Sequence, residues 1–354
     1  MNKEDKIRIF DPNSPGDTSM GIFGLPFSED ESEVVIIPVP WEVTVSYGGG
    51  TAKGPKAVFD ASFQVDLHDS LFPELWKIGI AMNEIPVKLA RRSALLRKKS
   101  EHYITKLEQG QEPDTNKAMR KLRDEINKAC EEMNAHVKHA VSKQLKTGKL
   151  VALLGGDHST PLGMMQALGE HVGSFSILQI DAHADLRKAY EGFTYSHASI
   201  MYNALRVNGV EKLVQVGIRD HCPEESDEMR LHQGKVMTFF DRDLKHGAYK
   251  GLSWEKQCDE IIATLSDKVY LSFDIDGLDP KLCPNTGTPV AGGLEFEQAC
   301  FLIEKLVRSG KKLIAFDINE VSPGKDEWDA NVGARLLYRF CGYLACSNGK
   351  ISMK

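Results

Sequence analysis

Three short apolar runs in this chain each end in a motif of carboxylates and imidazoles, and that repetition limits the folds open to it. Residues 150–154 (LVALL) run into Gly155-Gly156-Asp157-His158-Ser159, residues 175–180 (FSILQI) into Asp181-Ala182-His183-Ala184-Asp185, and residues 269–275 (VYLSFDI) into Asp276-Gly277-Leu278-Asp279-Pro280. The runs are aliphatic or β-branched throughout instead of alternating with polar residues, which marks strands covered on both faces in a parallel sheet. Residues 34–38 (VVIIP) belong to the same class, and 213–216 (LVQV) and 313–316 (LIAF) are weaker members. Helix-length amphipathic stretches separate them, so the order is βαβα and the predicted class is α/β with a mostly parallel sheet. In such a sheet ligands bind beyond the carboxyl ends of the strands. The three motifs are therefore expected along one edge.

Spacing within the motifs sharpens this expectation. Residues i, i+2 and i+4 of an extended chain project to one side, so Asp181, His183 and Asp185 should converge, as should Asp274 and Asp276. His158 joins them from the neighbouring motif. Gathered at adjacent strand ends, these groups would repel one another and lose hydration at a cost of several kcal/mol unless cations neutralised them. Together they make four carboxylates and two imidazoles, more than one catalytic zinc takes, usually three protein ligands and a water. Two divalent ions about 3.5–4 Å apart, bridged by carboxylates, would use the whole set. Mixed oxygen and imidazole ligation suits Mn²⁺, and the rise of affinity along the divalent series leaves Ni²⁺ and Co²⁺ open.

Other classes are excluded by composition and pattern. The 354 residues carry 44 Lys and Arg against 50 Asp and Glu, a net charge of −6, with no basic block clear of acidic residues. No nucleic-acid face is expected, and a small cationic ligand fits better. The first residues, Met1-Asn-Lys-Glu-Asp-Lys, lead into polar sequence instead of a secretory apolar segment. No apolar run approaches the roughly 20 residues that span a bilayer, so the expectation is a cytoplasmic protein with no membrane partner. Seven scattered cysteines without a C-x-x-C pair argue against both a disulfide framework and a thiolate zinc site. The stretch GGGTAKG at 48–54 has the look of a phosphate loop, but Gly54 follows Lys53 where Ser or Thr is required.

The βαβα rhythm breaks between about residues 88 and 148, where charge is dense. Met119, Leu122, Ile126, Cys130, Met133, Val137, Val141 and Leu145 recur there at three- and four-residue steps, predicting one long amphipathic helix. A shorter helix over roughly 88–109 precedes it, across the linker Gly110-Gln-Glu-Pro113. Residues 1–354 are expected to form one domain, with this helical insertion packed on it or on a neighbouring subunit.

At the motif residues the sequence resembles the ureohydrolases, the family of arginase, agmatinase and related guanidine hydrolases. The matching segments are GGDHS at 155–159, DAHAD at 181–185, SFDIDGLDPKLCPNTGTPVAGG at 272–293, YGGGTAKGP at 47–55 and FDINEVSP at 316–323. The resemblance implies a three-layer α/β/α sandwich around an eight-stranded, mainly parallel sheet, in trimers or hexamers. It implies one metal on His158, Asp181, Asp185 and Asp274 and another on Asp181, His183, Asp274 and Asp276, with a hydroxide between them that attacks a guanidinium carbon. It further implies that Asp185 moves that hydroxide's proton to the leaving amine, that Glu320 pairs with the guanidinium, and that Thr288 supports the substrate. His197 is similar to the family's active-site histidine, a proton shuttle whose ordinary pKa near 6.5 suits exchange with solvent.

Two departures bear on the substrate. Arginases follow the third metal aspartate with an Asn that reads the amino-acid end of arginine, whereas this chain continues Asp185-Leu186-Arg187-Lys188, so arginine is not the expected substrate. Arg187 is similar to a formimidoylglutamase residue and either pairs with a substrate carboxylate or with an acidic neighbour such as Glu191. Trp328, close after Glu320, is expected either to narrow the pocket with Trp41 or Thr44 and face a cation, or to serve as a core or subunit contact. The expected activity is the agmatinase-like cleavage of a small guanidino compound to urea, with formimidoylglutamate cleavage and a one-zinc deacetylase reaction as alternatives.

Overall fold

Valine, isoleucine and leucine fill the strands on both faces, and the resulting sheet is covered on both sides. The computed structural model describes residues 1–354. Its strands are β1 (Val34–Val39), β2 (Ile80–Met82), β3 (Leu150–Gly155), β4 (Phe175–Ile180), β5 (Val210–Ile218), β6 (Val236–Phe240), β7 (Lys268–Asp274) and β8 (Lys312–Asn319). They form one sheet in the order β2-β1-β3-β8-β7-β4-β5-β6, every pair parallel. The helices are α1 (Lys3–Ile9), α2 (Gly54–Ala61), α3 (Val87–Glu108), α4 (Lys117–Lys146), α5 (Leu162–His171), α6 (Ile200–Ala204), α7 (Pro223–Leu231), α8 (Asp241–Tyr249), α9 (Trp254–Thr264), α10 (Phe296–Arg308) and α11 (Trp328–Ser347).

Side chains alternate across a strand, and here the alternation divides two cores. Val34 and Ile36 of β1, Ala152 and Leu154 of β3, and Leu178 and Ile180 of β4 pack with α10 and α11 on one face. Ile37 and Val39, Val151 and Leu153, and Phe175 and Ile177 pack with α4 and α5 on the other. The result is the α/β/α sandwich. No helix is long and apolar enough to cross a membrane, and all seven cysteines are free, five of them buried.

The strongly apolar runs are strands with ends shifted by a residue or so, and the two weaker runs lie inside β5 and β8. Strands β2 and β6 were not among the expected runs: β2 has only three residues, while β6, VMTFF, carries an apolar run comparable to 213–216 that was passed over. The charged stretch forms α3 and α4, and α4 buries Met119, Ile126, Cys130, Met133, Val137 and Val141. Asn116 caps α4 by accepting from the backbone N–H of Ala118 and Met119.

Candidate metal centre and substrate cavity

Strand order decides which residues meet. The chain lays β1 to β3 on one half of the sheet and β4 to β6 on the other, then returns to place β7 and β8 between them. Ligands collect at such a reversal, and the four adjacent strands β3-β8-β7-β4 carry the polar motifs at their carboxyl ends. The convergence of Asp274 and Asp276 arises differently from the extended spacing expected of them. Asp276 lies in a one-turn 3-10 helix, Ile275–Gly277, that Asp274 caps by accepting its N–H at 2.9 Å. The segment 181–185 likewise leaves the strand. Asp181 Oδ1 accepts the N–H of His183 at 2.6 Å, and Asp185 has φ +54°.

His158 stands at the centre. Its Nδ1 is 3.0 Å from Asp181 Oδ2 and 3.2 Å from both Asp185 Oδ2 and Asp274 Oδ2. Its Nε2 is 3.0 Å from Ser272 Oγ, and that hydroxyl donates its own proton to Asp317 Oδ1 at 3.2 Å. The hydroxyl must therefore accept from Nε2–H, which leaves Nδ1 as the ring atom that faces the three carboxylates and that a cation would take in place of a proton. Nδ1 is buried without a hydrogen-bond partner, and an imidazole nitrogen and three carboxylates aimed at one point fit a cation. A second group, Asp181, His183 and Asp276, shares Asp181 with the first, and His183 Nδ1 is 3.0 Å from Asp276 Oδ2. The donor set of oxygen and imidazole thus fits two divalent cations at neighbouring positions.

Titration reflects the same crowding. Burial works to lower the pKa of His158, but its carboxylate neighbours outweigh it and raise the pKa well above the usual value. Burial, then Asp276 and Asp181, act in the same opposed way on His183, which is also raised. Burial and the Asp181 charge push Asp185 up to about 7, and burial with Asp276 and Asp181 raises Asp274 well above the carboxylate range. Asp181 goes the other way. Burial would raise it, yet the adjacent imidazoles of His158 and His183 hold it low.

Beside the cluster lies a cavity of about 150 Å³ lined by His158, His183, Asp185 and Asp274, together with Glu320, Thr288, His197, Arg187, Ser46, Tyr190, Asp220, His221 and Glu225. Asp185 and Glu320 line it with left-handed backbones, φ +54° and +61°, a conformation that costs about 1–3 kcal/mol each away from glycine and concentrates at functional sites. Glu320 Oε1 accepts the His158 N–H at 2.8 Å. Its pKa is raised well above normal by burial, then by Asp274 and Asp157. Burial, then nearby His183 and His158, lowers His197 to about 3, so this imidazole is neutral at pH 7 and is an acceptor there, not a group that titrates near neutrality.

Arg187 lines the cavity, the acidic group beside it is Glu225, whose Oε2 lies 3.8 Å from its Nε, and its guanidinium stacks 4.8 Å from the Tyr190 ring centroid. The expectation for Trp328 is corrected. Trp328 does not line the cavity. It opens α11 after Glu327, whose φ of +59° turns the chain away, and its indole N–H donates to Lys281 O at 2.9 Å. Trp41 is fully buried and Thr44 nearly so, both away from the cavity lining. Ser272 and Asp317 lie inside the matching segments 272–293 and 316–323 but were assigned no role there, and Tyr190, Asp220 and Glu225 fall outside every motif. Ser272 carried the further signal that it precedes Asp274 by two residues and so shares its strand face.

Glu191, next to Tyr190, also has a left-handed backbone, and burial, then Glu108, pushes its pKa up to about 7. Its ionised form therefore costs stability as pH rises from the unfolded value near 4.5 through 7. Glu191→Gln should unfold with the wild type near pH 4 and be more stable above pH 7, by about 1–2 kcal/mol after allowance for its exposed part. Denaturant midpoints at pH 4 and 8 test this, and an equal gap at both values refutes it.

Residues 32–342 match the profile of the family described as "Arginase family". An N(1)-aminopropylagmatine ureohydrolase of Thermus thermophilus is 32% identical over 323 residues, covering 91% of this chain and 94% of that one. An agmatinase of Neisseria meningitidis is 28% identical over 340 residues, covering 92% and 94%. The crystal structure of agmatine ureohydrolase of Thermoplasma volcanium superposes with a TM-score of 0.69 at 24% identity, over 96% of this chain and 97% of that one, which supports the fold.

Proposed function

Because this chain belongs to the arginase family, we propose that it is a binuclear, metal-dependent amidinohydrolase. In this reading it cleaves a C–N bond of a small guanidino compound, agmatine-like or guanidine or an alkylguanidine, and releases urea with an amine or ammonia. The observation that carries the reading is the buried, unpartnered His158 Nδ1 facing three carboxylate oxygens at 3.0–3.2 Å. Relatives named agmatinase and N(1)-aminopropylagmatine ureohydrolase support the substrate class.

His158, Asp181, Asp185 and Asp274 would hold one ion, and Asp181, His183, Asp274 and Asp276 the other. Two such cations supply, when bound, a nucleophile from water at neutral pH by lowering its pKa to about 7. The chain's own groups do the rest. Glu320 binds the planar guanidinium and fixes its orientation, since a carboxylate accepts two parallel N–H bonds from it. Asp185 takes a proton at its carboxylate and delivers it to the leaving nitrogen. Thr288 offers its hydroxyl to the substrate, and neutral His197 offers an acceptor nitrogen at the cavity wall. Arg187, which lines the cavity beside Glu225 and Tyr190, is the residue on which recognition of a substrate carboxylate, and hence of formimidoylglutamate, would rest.

The same reading takes Mn²⁺ as the resident ion with Ni²⁺ as its rival, and a cytoplasmic trimer or hexamer. It treats residues 1–354 as one domain with 88–148 inserted. Urea release by protein reconstituted with Mn²⁺ or Ni²⁺ tests it, across guanidine, methylguanidine, agmatine, guanidinobutyrate, arginine and formimidoylglutamate. Urea from a small guanidino substrate and none from arginine is the expected result. Metal-loaded protein that releases no urea from any of them would refute the reading, and formamide from formimidoylglutamate would replace it with the alternative.

A further inference from the structure

Helices α3 and α4 contribute no ligand to the metal cluster and no lining residue to the cavity, yet both bond to the loops that do line it. Ser93, Arg97 and Ser100 lie at i, i+4 and i+7 on one face of α3. Ser93 Oγ accepts the Glu42 N–H at 2.9 Å, Arg97 donates to Val45 O, and Ser100 donates to Val43 O. Those backbone groups lead directly into Ser46, a cavity residue.

Glu42 extends the hold. It is 6% exposed, and its Oε1 lies 3.8 Å from Arg97 Nε. Its Oε2 accepts from Gly50 N at 2.7 Å, Thr51 Oγ1 at 3.1 Å and Ala52 N at 2.9 Å. The loop shaped in this way meets the strand-end segment that carries Thr288. Gly48 N donates to Gly287 O at 3.2 Å, and a Cβ at residue 48 would fall 2.5 Å from that oxygen, so only glycine permits the approach.

The second loop is held from α4. Asn127 Oδ1 accepts the Thr194 N–H at 2.9 Å and its Nδ2 donates to Gly192 O at 3.1 Å. This pairing fixes the segment between Tyr190 and His197, two more cavity residues. Fully buried Tyr103 of α3 packs on Phe193 of the same segment, with ring centroids 5.1 Å apart. Burying the apolar stripe of α4 would need none of these bonds. They are side-chain to backbone contacts directed at two loops 140 or so residues apart in the chain, whose common property is the cavity between them.

We propose that Arg97 and Asn127 are positioning residues, through which α3 and α4 hold the 42–52 and 187–198 loops at a fixed spacing and so select guanidino substrates by the size of their tail. The proposal rests on the guanidino-hydrolase reading for its substrate and on the contacts above for the rest. Its test uses the metal-loaded full chain as Arg97→Ala and Asn127→Ala. Each is compared with the conservative Arg97→Lys and Asn127→Asp, which retain a donor for Val45 O and an acceptor for Thr194 N–H respectively. Kinetics on methylguanidine and agmatine are read beside hydrogen exchange of peptides covering the two loops.

The expected result is a KM for the preferred substrate raised about fivefold or more with kcat within about twofold, the signature of lost binding without lost chemistry. The preference between the two substrates should shift, both loops should exchange faster, metal content should hold, and the conservative variants should fall between. An unchanged preference with unchanged loop exchange overturns the proposal, as does a fall in kcat alone. Where an Ala variant does not fold, the conservative variant decides by the same two readouts. If the wild type releases no urea from any guanidino compound, the functional reading falls, while loop exchange still reports whether the helices hold the loops.

Discussion

Asp181→Ala is expected to abolish metal binding and urea release together, lowering kcat/KM by about 10³-fold or more, which corresponds to about 4 kcal/mol of transition-state stabilisation. Asp181 is the carboxylate common to both ligand groups and is fully buried. Without it, His158 Nδ1 keeps two carboxylate neighbours and His183 Nδ1 keeps Asp276. Neither remnant retains the shared position that makes the pair of sites. Turnover retained by the variant at unchanged metal content would refute the assignment.

Asp274→Asn separates charge from shape at the same place. Burial and the nearby Asp276 and Asp181 carboxylates raise the Asp274 pKa, so its charge opposes folding wherever no cation balances it. In chelator-treated protein the Asn variant should melt higher than the wild type. With saturating Mn²⁺ the order should invert, because an ion that binds only the folded state stabilises by about 2.7 kcal/mol at a hundredfold excess over its Kd. Melting curves with and without chelator check this, and the same order under both conditions would show that the cluster is held by its own hydrogen bonds and not by cations.

How much of this could be read from the chain depends on the range of each signal. Buried parallel strands announce themselves locally, because a strand covered on both faces must be apolar along its length. The runs at 150–154, 175–180 and 269–275 therefore located the three strand ends at which the carboxylate and imidazole cluster gathers. A three-residue strand such as β2 has no room for a pattern, whereas β6, VMTFF, was readable as an apolar run and was passed over. The convergence of Asp274 with Asp276 followed from an extended spacing that the chain does not use there. A capped turn brings them together instead, and the outcome was the same because both geometries return alternate residues to one side.

Contacts made over long sequence separations were out of reach. Glu225 lies 38 residues after Arg187 and Asp317 lies 159 after His158, and no local rule pairs them. Trp328 misled for the opposite reason. It lies eight positions after Glu320, but a left-handed turn at Glu327 directs it onto the Lys281 carbonyl and out of the cavity. The helices α3 and α4 were legible as amphipathic helices, while their polar reach toward the cavity loops lay in single residues, Arg97 and Asn127, that look like ordinary solvated positions.

Glu320→Gln should lower kcat/KM for a guanidino substrate by about 10²-fold, close to 2.7 kcal/mol and within the range for removing one partner of a buried charged pair. Most of the loss should appear in KM, with metal content unchanged. The substitution keeps the shape of the side chain and, through the amide oxygen, the acceptor for the His158 N–H that Glu320 Oε1 now receives at 2.8 Å. It removes the negative charge and one of the two acceptors that a planar cation would use. The wild-type carboxylate is costly to bury, since burial, Asp274 and Asp157 all raise its pKa, and its left-handed backbone adds strain. A group kept under two such penalties is best explained by a cation that relieves one of them on binding. The variant should accordingly be at least as stable as the wild type in the absence of substrate, while the gain in melting temperature that guanidinium-bearing ligands confer on the wild type should be lost. Thermal melts with and without agmatine, beside steady-state kinetics and metal analysis, measure all three. An unchanged KM with an undiminished agmatine shift would remove Glu320 from the substrate site and leave it as a support for the His158 backbone alone.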